Sequence, residues 1–117
     1  MAVIKKFATI VSIDYELSKV QIGEKVQFIH NRHNEFDKNA IDAVRVLGKE
    51  KIGYMTASAH TTLPGCENNS QLIRFIPSPT VPLIGTVVEK KDVSFRNGTI
   101  APVLKVEIYV VIKDKAV

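Results

Sequence analysis

The sequence predicts a mostly β domain, folded as a small barrel or a strongly curved sheet with one or two short helices. Near the end of the chain, apolar residues alternate strictly with other side chains, as in a half-buried strand: Leu104, Val106, Ile108, Val110 and Ile112. Asn97-Gly98 separates two strand-like segments, as the turn of a β-hairpin does. Several further short strand-like segments favour closure of the sheet, because closure hides the edges of the strands.

The first half of the chain contains four strand-like segments, at residues 3–13, 24–30, 40–47 and 51–54. A hairpin turn is predicted near Gly48-Lys49-Glu50, between the last two of them. In the third segment, Ile41 is out of phase with Val44 and Val46. One extra residue near positions 42–43 would place all three on one face, so we expect a β-bulge there.

The second half begins with the only segment that could form a helix of any length, residues 55–63, which Pro64-Gly65 would end. Residues 68–76 fit either a short helix or a strand. The proline-rich residues 77–82 predict an extended surface connection, since proline cannot donate to a β ladder. A long terminal hairpin, residues 87–96 and 99–110, completes the expected fold.

Composition indicates one domain spanning residues 1–117, because this length supports one core and 45% of the residues are hydrophobic. The single cysteine, Cys66, excludes an internal disulfide. The apolar run at the start is too short for the core of a signal peptide or for a membrane span, so we expect a soluble, cytoplasmic protein with no membrane partner. Lys and Arg outnumber Asp and Glu by 16 to 12, which permits a nucleic-acid partner without requiring one.

The most distinctive segment is a polar loop, residues 34–39, with one aromatic residue near its centre. Its Asn and Asp residues fit a structural turn, because their side chains accept hydrogen bonds from nearby backbone groups. Phe36, beside Asp37 and Lys38, also fits a binding site in which the ring stacks on a base while polar neighbours hold sugar and phosphate. We expect the Asn39 amide to bond the loop backbone and Asn34 to stay accessible with Asp37.

The residues from His33 to Ile41, "HNEFDKNAI", followed by "KIGYM" at residues 51–55, resemble the HIRAN domain. That family has the pattern Asn-x-aromatic-Asp-x-Asn-Ala-Ile, then a strand, a short hairpin and apolar-Gly-aromatic or His. The specific identities lie between Asn34 and Tyr54, while the general layout covers most of residues 3–113.

The resemblance implies a six-stranded barrel related to the OB fold, with short helices. Such domains occur in fork-remodelling ATPases of DNA repair and as freestanding bacterial or phage proteins. The eukaryotic form binds the 3′-hydroxyl end of single-stranded DNA: two aromatics hold the terminal base between them, and an Asp recognises the hydroxyl. By this resemblance Tyr15 and Phe36 would hold the base, and Asp37 would bind the hydroxyl and repel a terminal phosphate.

Several positions depart from the DNA-binding members of that family. Asp14 precedes Tyr15 where those members have a basic residue, and Tyr54 lies near the position of a phosphate-binding His or Lys. Arg32 would supply a displaced cation. The pairs Lys49-Lys51 and Lys90-Lys91 fit solvated faces; if they lie on hairpins beside the polar loop, they would instead form a track for phosphates.

These features leave two functional hypotheses. The first is a non-enzymatic module that binds single-stranded DNA ends, acting with a helicase or nuclease encoded elsewhere. The second is a protein-interaction or assembly module on the same barrel, which the missing cations favour. His30, His33 and Asp37 are a weaker metal-site candidate, because no fourth ligand accompanies them, and we expect no cofactor. No acid, base and nucleophile converge in the sequence, so we expect no enzyme activity.

Overall fold

The alternating segments pair into a closed barrel of six antiparallel strands in the computed structural model of the chain, which describes residues 2–12, 15–58, 61–76, 82–95 and 97–112. The strand order is β1-β4-β3-β2-β5-β6, and β6 pairs with β1 to close the barrel. The strands are β1 (Ala2–Val11), β2 (Lys25–His30), β3 (Ile41–Arg45), β4 (Lys51–Met55), β5 (Leu83–Ser94) and β6 (Ile100–Ile112). One short helix, α1 (Asn69–Leu72), and 3-10 turns at Leu17–Lys19 and Ile73–Phe75 complete the secondary structure of the described residues. The prediction of a mostly β, six-stranded barrel with one or two short helices is confirmed.

The final strand, β6, pairs with β1 on one side and with β5 on the other. Leu104, Val106, Ile108 and Val110 are buried along one face, as their alternation predicts. The side chain of Ile112 lies outside the described residues. Leu17 and Leu72, from the two helical regions, join the same hydrophobic core, so the short helices contribute to the packing of the barrel.

A bulge is present beside Ala43 and Val44, close to the predicted position, but its extra residue belongs to the neighbouring strand, β4. Ala43 pairs with Gly53 and Val44 pairs with Lys51, so the additional residue is Ile52 of β4. Consequently β3 keeps its alternation, with Ile41 and Ala43 buried. The expectation that Ile41 shares a face with Val44 and Val46 is therefore wrong.

The helix predicted at residues 55–63 does not form in the part of that segment that the structure describes, residues 55–58 and 61–63. Met55 ends β4, and the Thr56 hydroxyl accepts a hydrogen bond from the backbone N–H of Ser58 at 3.2 Å. Such bonds from Ser and Thr compete with the helical backbone pattern. The helix forms later, where Asn68 and Gln71 make reciprocal capping bonds. Most of the predicted proline-rich connection, residues 77–81, lies outside the described residues.

The terminal hairpin reverses at the predicted Asn97-Gly98 turn. Gly98 has φ of 85°, and its N–H donates to the Phe95 carbonyl at 2.9 Å. Asn97 contributes its side chain, whose Oδ1 accepts from the Thr99 N–H at 2.9 Å. Only the glycine of the pair takes the left-handed backbone conformation, because it lacks the Cβ that makes this region costly.

The pairing of β1 with β4, which the closed barrel also requires, depends on Gly53. These strands share only two paired positions, Ile10 with Met55 and Val11 with Tyr54. A Cβ on Gly53 would overlap the carbonyl oxygen of Val11, so the absence of a side chain allows the two backbones to approach. This approach fixes the position of Tyr54, next along β4. Among the described residues, no helix is both long and apolar enough to cross a membrane.

Candidate nucleic-acid-binding pocket

The β2–β3 loop, residues 31–40, is held by a series of side-chain turns. Asn31, Asn34 and Asp37 each accept a hydrogen bond from the backbone N–H two residues ahead, at 3.1, 2.9 and 2.9 Å. The Asn34 side chain also accepts from the N–H of Asp37 at 2.9 Å. The structural-turn interpretation of the loop is therefore confirmed, and the turns fix the loop without apolar packing.

The Asn39 amide does not have the role that we expected. We expected the Asn39 side chain to bond the loop backbone, whereas Asn34 and Asp37 supply the side-chain acceptors and Asn39 donates only through its backbone N–H. The reason is directional: the acceptor must lie at the first residue of each turn, two residues before the N–H that it binds. Asn39 lies at the end of the loop.

A pocket of about 230 Å³ opens beside this loop. Its walls come from the loop, the start of β3, the strand β4 and helix α1. Four residues predicted from sequence line it: Asn34, Phe36, Asp37 and Tyr54. Polar or charged residues outside the predicted set also line it, among them Asn31, Asp42, Lys51 and Asn69. The fold thus brings residues 34–37 close to β3, to β4 and to helix α1, which lies about thirty positions later in the chain.

Phe36 is the most unusual side chain of the pocket, because 97% of it is exposed to solvent. Burying a phenylalanine ring is worth about 1.5–3 kcal/mol, so a fold ordinarily hides it. Here the ring lies on a loop whose backbone is fixed by the Asn34 side chain. The result is an apolar, flat surface at the edge of a pocket, available for stacking.

Asp37 is fixed from two directions. Its Oδ1 accepts from the Asn39 N–H at 2.9 Å, and its Oδ2 accepts from Nδ2 of Asn69 at 2.7 Å. Asn69 is the first residue of α1 and is only 4% exposed. Sequence analysis missed it: the Asn68-x-x-Gln71 capping pattern could have indicated the start of a helix, but no local signal links that helix to the loop.

The charges of the pocket are nearly balanced. Lys51 Nζ lies 3.4 Å from Asp42 Oδ1, and Asn31 Nδ2 donates to Asp42 Oδ2 at 3.3 Å. Among the described residues that line the pocket, Lys51 is the only cation, against Asp37 and Asp42. The lysine side chain is 59% exposed, so it can reach a ligand while it remains near Asp42. Of the lysines considered as a phosphate track, Lys51 lies beside the polar loop, in the pocket lining.

Tyr15 does not line this pocket. It lines a different cavity, of about 370 Å³, with Ser12, Leu17 and Pro102. Its hydroxyl accepts from Nη1 of Arg45 at 3.2 Å, and the neighbouring carboxylate of Glu50 raises the pKa of Tyr15 above its ordinary value. A base held between Tyr15 and Phe36 stays a prediction.

Arg45 in turn pairs with Glu24 through two hydrogen bonds, of 2.5 and 2.7 Å. This bidentate pair joins the start of β2 to the end of β3, and it raises the pKa of Arg45. The hydroxyl of Tyr15 is therefore anchored by a charged group that is itself held in place.

The remaining predicted residues lie outside the pocket lining. Arg32 and Lys38 are exposed, and the Lys38 carbonyl is 2.8 Å from Nε2 of His30. Asp14, expected to oppose a phosphate, lies outside the described residues. In the part of the chain that the structure describes, no group of three or more His, Cys, Asp or Glu side chains is arranged to hold a metal ion.

Tyr54 connects the pocket to the neighbouring surface. It also lines two adjacent cavities, of about 490 and 250 Å³, together with Phe95 and Asn97 of the terminal hairpin. No protein-family model, no curated protein and no solved structure matches this chain. The chemistry of the pocket therefore carries the functional proposal.

Proposed function

We propose that this chain is a non-enzymatic module that binds single-stranded DNA and holds its 3′-hydroxyl end in the Phe36 pocket. The observation that carries the proposal is the 97% exposure of Phe36 at the edge of a preformed pocket with a fixed carboxylate in its wall. Stacking of a base on an aromatic ring is worth about 1–3 kcal/mol and is tolerant of sequence. The backbone of Phe36 is already held by the Asn34 side chain, so binding does not have to order the loop at this residue.

Each lining residue has a role in this proposal. Phe36 stacks on the terminal base, and Asp37 accepts a hydrogen bond from the 3′-hydroxyl. A phosphate at the same end would meet the charge of Asp37, so the pocket would distinguish the two chain ends. Lys51, whose side chain is 59% exposed, would contact a phosphate, and Tyr54 would offer its hydroxyl from the same lining.

The resemblance of residues 34–54 to the HIRAN domain supports the same proposal, since it implies DNA-end binding by the positions of Phe36 and Asp37. Tyr15 then contributes a second aromatic surface outside the pocket lining. Within DNA repair, a helicase or nuclease encoded elsewhere would be the working partner.

A protein-interaction module is the second candidate, and one observation favours it. Among the described residues, the pocket lining has two carboxylates and one lysine, and that lysine lies beside Asp42. These described lining residues do not form a strongly basic track, the usual mark of nucleic-acid binding. A peptide with a donor for Asp37 and an apolar group for Phe36 would fit the same residues.

A fluorescence anisotropy titration separates the two candidates. The probes are short single-stranded oligonucleotides ending in a 3′-hydroxyl or a 3′-phosphate, measured at two salt concentrations. DNA binding predicts tighter binding of the hydroxyl end and a clear loss of affinity as salt rises, in proportion to the phosphates contacted. Absence of binding to every oligonucleotide at low salt refutes the proposal and leaves the protein-interaction candidate.

A further inference from the structure

The contact between Asn69 and Asp37 joins two elements that are far apart in sequence. Nδ2 of Asn69 donates to Oδ2 of Asp37 at 2.7 Å, across a separation of 32 residues. The other oxygen of Asp37 accepts from the backbone N–H of Asn39 at 2.9 Å. One donor on each oxygen fixes the plane of the carboxylate, and an ionised carboxylate oxygen can accept more than one hydrogen bond. Asp37 therefore keeps acceptor capacity for a ligand while its orientation is set.

Asn69 is itself held in place. It is 4% exposed, and its backbone N–H donates to the Thr56 carbonyl at 3.2 Å. The preceding residue, Asn68, caps the helix through a reciprocal pair of bonds with Gln71. Leu72, one turn later, is fully buried in the main core. The donor that meets Asp37 is consequently attached to the barrel core, and the loop alone does not determine the direction of the carboxylate.

We infer that Asn69 is a positioning residue that sets the preference of the pocket for a hydroxyl-terminated chain. The inference deepens the proposed function and rests on it. Without the Asn69 donor, the Asp37 carboxylate keeps only its bond from the Asn39 N–H, so Oδ2 is no longer held in one direction and becomes a less directed acceptor. The carboxylate charge still repels a phosphate. It no longer makes a 3′-hydroxyl end bind more tightly than an end that lacks the hydroxyl.

The test uses oligonucleotides that are identical except for a 3′-hydroxyl or a 3′-deoxy end. Neither end titrates, so the ratio of their dissociation constants measures the hydrogen bond to the hydroxyl alone. We expect a ratio of about tenfold for the unaltered protein, as one hydrogen bond to a charged acceptor gives. Asn69→Leu keeps the branched shape of the side chain, removes the donor and should reduce this ratio to about twofold or less.

Asn69→Asp gives a readout that a purely structural role would not produce. Two carboxyl groups at hydrogen-bond distance share a proton, so the variant carries a donor toward Asp37 at low pH and two repelling charges at high pH. We expect the preference to be near that of the unaltered protein at about pH 5 and to be lost at about pH 8, because the pair loses its shared proton as the pH rises. The other charged groups of the pocket lining, Asp42 and Lys51, face each other and are the same in every variant.

Asn68→Ala is the matched control. It removes the helix cap but leaves the Asn69 amide in place, so a general loosening of α1 is separated from the loss of one bond. We expect the hydroxyl preference to survive in this variant. Thermal unfolding of each protein shows which variants are folded. If Asn69→Leu does not fold, the pH response of Asn69→Asp tests the inference in its place.

Three results overturn the inference. A folded Asn69→Leu protein with the full hydroxyl preference does so, as does a preference in Asn69→Asp that is unchanged between the two pH values. Loss of the preference in Asn68→Ala would assign the effect to the helix as a whole. In these cases Phe36-dependent DNA binding persists and the proposed function stands, whereas absence of all binding by the unaltered protein refutes both.

Discussion

Replacing Phe36 by alanine tests whether its exposed ring is a binding surface. Truncating a buried phenylalanine costs about 3–5 kcal/mol of stability, because it leaves a cavity. Phe36 is 97% exposed, so its truncation should leave the free energy of unfolding within about 0.5 kcal/mol of the original value. Binding should respond differently: the loss of one stack is worth about 1–3 kcal/mol, which is a factor of about 5 to 150 in the dissociation constant.

The measurement combines urea unfolding with the anisotropy titration, using oligonucleotides with each of the four bases at the 3′ end. The loss of affinity should be similar for all four, since every base offers a flat face. Leu47→Ala is the matched control, because Leu47 is 80% exposed in the β3–β4 turn and does not line the pocket. If Phe36→Ala and Leu47→Ala bind equally well, the ring is not a stacking surface and the reasoning fails.

Three further substitutions test the pocket and the barrel. Asp37→Ala should abolish the preference for a hydroxyl over a phosphate end. It should also lower the free energy of unfolding by about 1–3 kcal/mol, because the buried amide of Asn69 loses its acceptor. An unchanged stability in urea would contradict the role given to that bond. Lys51→Met should reduce the slope of log affinity against log salt by about 0.7, the value for one phosphate of a single strand, and an unchanged slope would place the phosphates elsewhere. Gly53→Ala should destabilise the protein by about 1–3 kcal/mol because its Cβ meets the Val11 carbonyl, and a denaturation midpoint equal to that of the original would show that the strands can separate at no cost.

The sequence predicted the barrel best where one face of a strand is uniformly apolar. The alternation along β6 gave both the strand and its buried side, because a shift of one residue would expose every apolar group. The bulge was assigned to the wrong strand for a related reason. A bulge is a mismatch between two strands, and the pattern of β3 alone does not say which partner carries the additional residue, Ile52. The helix prediction at residues 55–63 failed because Ser and Thr side chains bind the backbone there.

In the candidate site too, the sequence predicted some features and not others. Local chemistry determined the β2–β3 loop: Asn31, Asn34 and Asp37 recur every three residues and each bonds a backbone N–H nearby, so sequence alone indicates the turns. Phe36 was identified as a stacking candidate because an aromatic ring in such a loop has few apolar neighbours in sequence.

Only the tertiary structure decided what surrounds that loop. The closure of β1 on β4 places Tyr54 at the pocket, and the packing of Leu72 in the core brings Asn69 to within 2.7 Å of the Asp37 carboxylate. It also placed Tyr15 in another cavity, anchored by Arg45. These contacts join residues more than twenty positions apart, and their geometry follows from the shape of the whole barrel. A local pattern fixes hydrogen bonds within a turn, whereas the distance between two turns depends on every strand pairing that lies between them.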